Sequence, residues 1–186
     1  WCQLPHQTNA VHPRQVDVQQ HYTLFVGVTD VGPGAKTTMG MIAAEALGVP
    51  LSLVTVVSGD TERCPYSVGE SGSRTTIMTG MAVIEAVQDL QQQIAVRGMP
   101  TDNDVLVASA TPTPVPDGTM RQCFGAHFVE VEVDTRLGTT RIVKYVAVHE
   151  SGRIINPQTA RDQIRGAVIQ GIGQALHEDL LYDPVS

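Results

Sequence analysis

A chain of 186 residues with 42% hydrophobic content can bury a real core, as one sizeable domain or two small lobes. A formal net charge of -7 without any basic run argues against nucleic-acid binding, and 4% aromatic residues leave little for base stacking. Three scattered cysteines without a CxxC give no sign of a disulfide framework or zinc site and point to a reducing, cytoplasmic compartment, and no apolar run reaches membrane-span length.

Residues 1–21 are rich in Pro, His and Gln and read as an irregular arm, with His6 and His12 as solvated histidines rather than ligands. Tyr22 to Val28 reads as a buried strand. Asp30-Val-Gly-Pro-Gly-Ala-Lys-Thr-Thr38 follows, then a helix from Met39 to Leu47 that stops at Gly48. Strand, glycine turn, helix is the geometry of an anion site. A P-loop is ruled out because Ala35, not Gly, precedes Lys36. Nor does Gly32-Pro-Gly34 match the dinucleotide fingerprint, and a purely structural turn stays open.

Leu51 to Ser58 predicts a second strand, and Thr75 to Arg97 a long helix stopped by Gly98 and Pro100. Between them Ser67-Val-Gly-Glu-Ser-Gly-Ser-Arg-Thr75 places glycines, hydroxyls and Arg74 just ahead of a helix start. Glycines allow close backbone approach, the helix start offers free N–H groups, and Arg74 adds a bidentate donor. An anion cradle and an ordinary solvated loop with a Ser or Thr cap both fit this stretch taken alone. The two strand–glycine loop–helix units in series suggest an internal pseudo-repeat.

Val105 to Ala110 reads as a short strand and Thr111 to Gly118 as a Pro-rich surface loop. In Phe128 to Asp134, valines 129, 131 and 133 alternate with acids, predicting one buried and one wet face. A turn at Thr135 to Gly138 returns the chain as Thr140 to His149, an antiparallel hairpin. Glu130, Glu132 and Asp134 read as a solvated acidic face rather than a metal cluster. The last helix, about Ala160 to Leu180, carries an apolar stripe from Ile164 to Leu176. Gly166 and Gly173 flank Gln170 on another side. Helical glycines cost about 1 kcal/mol each relative to Ala, so either tight packing or an approaching ligand must offset them.

Asp30-Val-Gly-Pro-Gly34, Gly72-Ser-Arg74, Val129 to Asp134, Gly152-Arg-Ile-Ile-Asn-Pro157 and Gly166-Ala-Val-Ile-Gln-Gly-Ile-Gly173, in this order, resemble the molybdenum-cofactor-binding subunit of the xanthine dehydrogenase/aldehyde oxidase family. The resemblance implies an α+β fold of mixed and antiparallel strands with helices packed on them. It assigns 22–183 to one lobe of the cofactor domain and leaves 184–186 as a truncated end, both termini reading as cuts in something longer. It implies hydroxylation of a purine, N-heterocycle or aldehyde with oxygen from water. The cofactor would be molybdenum on molybdopterin, as the cytosine dinucleotide, with no side-chain metal ligand. Iron–sulfur ([2Fe–2S]) and FAD modules on other domains or subunits would take the electrons, and association into an oligomer is expected.

Carried over by motif, Gly32 and Gly34 would approach the cofactor, and Gly72, Ser73, Arg74 and Thr75 would hold its phosphates or pterin. Gln170 would hydrogen-bond near the metal. Two departures matter. Pro33 stands where many members have glutamine, and the family's catalytic glutamate is expected downstream of Ser186, leaving Glu70 as a loop residue rather than the base. A non-catalytic anion- or nucleotide-binding module is the alternative.

Overall fold

The computed structural model describes residues 11–17 (backbone only), 21–67, 69–101, 104–112, 118 and 122–183. The chain forms two compact units, Trp1–Asp117 and Gly118–Ser186. Their boundary falls in the Pro-rich stretch read as a surface loop, of which 113–117 lie outside the described residues, as do His6 and the end at 184–186.

The first unit holds a three-stranded sheet in the order β1 (Val11–Asp17), β2 (His21–Val26), β3 (Val54–Ser58). The irregular arm is thus corrected over Val11–Asp17, which pairs antiparallel with β2. Pro13 masked this strand in the sequence. A proline gives the ladder no donor and is admitted at an edge or bulge, and the register indeed slips between Pro13 and Val16. Strand β2 runs parallel to β3, with Tyr22 opposite Val54 and Val26 opposite Ser58. The second predicted strand is shorter than expected, because Leu51–Leu53 after Pro50 forms a 3-10 turn.

Helix α1 (Ala35–Leu47) starts four residues ahead of the expected Met39, and α2 (Thr75–Arg97) has the predicted bounds. The two helices pack on each other and on the sheet around Val26, Val28, Met39 and Val83, all fully buried. Few aromatics are needed because small residues bring the elements close: a Cβ on Gly40 would stand 3.0 Å from Val56, and one on Gly80 3.0 Å from Ile42. Val105 to Ala110 is not a strand. Leu106 and Ala108 are buried beside Leu90 as the alternation implies, but the segment makes only single bridges, at Val107 and Ala110, and the Gln93 amide donates to the Val107 carbonyl (3.0 Å).

The second unit is the hairpin β4 (Phe124–Asp134) and β5 (Thr139–Glu150) followed by α3 (Pro157–Leu176). Asn156 caps α3, its side-chain oxygen accepting from the Gln158 and Thr159 N–H groups, and Pro157 opens the first turn. Two of the three acids read on β4 have local partners. Glu132 pairs with Arg141 across the strands, and the Asp134 carboxylate accepts from the Arg136 and Leu137 N–H groups in the turn. The buried valine face expected here is corrected, since Val129, Val131 and Val133 are 46%, 52% and 52% exposed. The expected core stripe of α3 is likewise unburied, because the described elements of this unit supply no second layer.

Candidate functional site

Because β2 and β3 are parallel neighbours, the loops that leave their carboxyl ends, 27–34 and 59–74, emerge at the same edge of the sheet. That edge is where ligands bind in sheets of this kind. The loops touch. A side chain on Gly27 would collide with the Pro65 carbonyl oxygen and with Ser67, so only glycine lets them meet.

The first loop is built around Asp30. One carboxylate oxygen accepts from the N–H groups of Gly32 (3.2 Å) and Gly34 (2.9 Å), the other from Lys36 (3.1 Å). Burial by itself would raise the Asp30 carboxyl, but N–H bonds from Lys36, Gly34, Gly32 and Ala35 outweigh it and hold it below its usual value. The start of α1 is therefore already satisfied by an internal anion. What Gly32 offers a ligand is clearance, with no atom within 4 Å of where its Cβ would stand. Sequence reasoning missed Asp30 as the organiser, although Asp two residues before Gly is the signal of such a turn.

The second loop is different. Gly72 (φ 66°) and Ser73 (φ 54°) turn through the left-handed region, a strained choice for serine, and deliver Arg74 to the start of α2. No side chain caps that helix start and no acidic residue lies in its first turn. Gly72, Ser73, Arg74 and Thr76 are exposed and Thr75 is half-buried. Among the described residues the first turn of this 23-residue helix thus has no side-chain cap, and its N-cap residue is an exposed arginine, a combination suited to an anion.

Glu70 lies between the loops. Both its carboxyl oxygens are buried and have no hydrogen-bond partner, the Val31 N–H facing them outside bonding geometry. Burial pushes the carboxyl above its usual value, the Val31 N–H offsets part of this, and the charge of Asp30 adds to it. In the second unit Gln170 is exposed on α3, with open space over Gly166 and Gly171, while the Glu178 carboxylate covers Gly173. His127 also escaped sequence reasoning: its ring bonds the Tyr145 hydroxyl (2.9 Å) and stands edge-on to His149. Among the described residues no three His, Cys, Asp or Glu side chains gather as a metal site.

Paired strand–loop–helix units whose glycine loops meet at one sheet edge define an α+β domain of the kind that takes ligands at that edge. The comparisons give the family. The model of the molybdopterin cofactor-binding domain matches residues 6–110 and 107–185, and the chain belongs to that family. It is 31% identical over 200 residues to the gamma subunit of the 6-hydroxypseudooxynicotine dehydrogenase complex of Paenarthrobacter nicotinovorans, covering 87% of this chain and 25% of that one. It is 32% identical to the aldehyde oxidoreductase molybdenum-binding subunit PaoC of Escherichia coli, covering 91% and 27%. Among solved structures, the aldehyde oxidoreductase of Desulfovibrio desulfuricans superposes with a TM-score of 0.76 at 25% identity, over 94% of this chain and 22% of that one. The CO dehydrogenase of Oligotropha carboxidovorans superposes at 0.82 with 20% identity, over 95% and 27%, a likeness of fold. The chain spans about a quarter of the length of the curated relatives it matches.

Proposed function

We propose that this chain holds the phosphate-bearing part of a molybdopterin cofactor in a molybdenum hydroxylase of the xanthine dehydrogenase/aldehyde oxidase type. The observation that carries the reading is the uncapped start of α2 with Arg74 beside it, in a chain of this family. The residues fit the group. The Ser73 and Thr75 hydroxyls, the Arg74 guanidinium and the first-turn N–H groups of α2 are donors suited to phosphate oxygens. Gly32 and Gly72 keep the approach clear of side chains, and Asp30, accepting from the Gly32 and Gly34 N–H groups, holds the first loop behind them.

Gln170, exposed on a glycine-flanked face, is the carboxamide that would reach the cofactor near its metal. When bound, molybdenum supplies the two-electron oxidation of a substrate carbon, and this chain's share is orientation and electrostatics. The cytosine dinucleotide form of the cofactor, iron–sulfur and FAD partners, oligomerisation, a cytoplasmic setting and a purine, N-heterocycle or aldehyde substrate belong to the same reading. So does a catalytic glutamate beyond Ser186. The relatives' names, with an aldehyde oxidoreductase and a nicotine 6-hydroxylase among them, support that range of substrates.

The test is a pyrophosphate titration of the wild type and Arg74→Ala. One charge-assisted contact is worth enough that affinity should fall about tenfold in the variant. Equal affinities would contradict the reading.

A further inference from the structure

Glu70 is the buried carboxyl of the loops that the cofactor reading leaves without a task. A buried carboxyl with neither oxygen partnered costs stability unless it does something for the surrounding structure. Its location says what. It belongs to the loop that ends in Gly72–Arg74, and it lies against Val31 and Asp30 of the other loop. Its immediate base is fixed, since the Ser67 hydroxyl accepts from the Gly69 N–H (3.1 Å) and the Ser71 N–H donates to the Gly69 carbonyl (3.2 Å).

We propose that Glu70 is a positioning residue, whose carboxyl wedges between the Asp30–Gly34 turn and the Ser67–Arg74 loop and sets the spacing of the two, and with it the shape of the anion cradle at the start of α2. This rests on the proposed cofactor role of that cradle. The neutral acid fits the wedge. The charged group facing it from the first loop is the Asp30 carboxylate, and among the described residues no cation pairs with Glu70. Ionised, Glu70 adds a second negative charge beside Asp30 and close to the incoming anion. Anion affinity is therefore highest while Glu70 keeps its proton and falls as pH rises through its titration.

Sulfate is a suitable probe because its charge stays constant from pH 5 to 9. Its binding is followed by amide chemical shifts of Gly72 to Ile77 in the wild type, Glu70→Gln, Glu70→Ala and Arg74→Ala. Wild-type affinity should drop about threefold on raising the pH, the scale of one charge across a wet site. The isosteric Glu70→Gln should keep the low-pH affinity with a flat profile. Glu70→Ala should bind more weakly at every pH and shift the Val31, Gly32 and Gly34 amides, which a cradle independent of Glu70 would not do. Parallel profiles for wild type and Glu70→Gln would overturn this role while leaving the cradle standing, provided Arg74→Ala still weakens binding. Sulfate that binds no better to the wild type than to Arg74→Ala would overturn both.

Discussion

Asp30 and Glu70 are neighbours whose environments push their carboxyls in opposite directions, and the difference lies in N–H groups. Asp30 collects several and stays ionised, whereas Glu70 collects none in bonding geometry and is left to its burial. Removing the Asp30 carboxylate strips three donors of their acceptor. Asp30→Ala should cost about 1 kcal/mol in urea unfolding at neutral pH, the usual scale of a lost cap. Its folded value lies below the ordinary 3.8, so this contribution exists above that pH and is lost as pH falls through the folded value. The gap between wild type and variant should therefore close in acid. Glu70 has the opposite sign. With a folded value above 4.5 the native state binds the extra proton, so stability is full below 4.5 and declines as pH rises through the folded value. Glu70→Gln should accordingly unfold at higher urea than wild type at pH 8 and match it near pH 4.

At the scale of elements, the helices were legible where punctuation agreed with periodicity. Gly98 and Pro100 stopped α2 where the pattern did, and α2 has its predicted bounds. Strand β1 was hidden by its edge proline, and Val105 to Ala110 shows that buried alternation can occur with isolated bridges in place of a continuous ladder. The Gly32 and Gly34 loop was visible as a turn, but nothing in the sequence could show that Asp30 had already consumed its donors. Met39 on α1 is completely buried, so Met39→Ala should cost about 2–5 kcal/mol, measured by denaturant midpoint. Gly166 on α3 has open space above it, so Gly166→Ala should stabilise this chain by up to about 1 kcal/mol. A loss of stability instead would mean that something packs on that face.

For the whole molecule, the apolar faces of the hairpin and α3 are legible as patterns and yet uncovered, because a pattern states what must be buried and not what buries it. The relatives are about four times as long as this chain, so they carry additional surface that could serve as cover. The proposed phosphate contacts all lie in the first unit, where two glycine loops share a sheet edge and the start of α2 has no side-chain cap. The most direct test is the pterin content of the purified protein, read from the fluorescence of the oxidised pterin after release, for wild type against Arg74→Ala. The cofactor reading predicts bound pterin in the wild type and a loss of about tenfold in the variant, with unchanged folding by circular dichroism. Equal pterin content in the two proteins would contradict it.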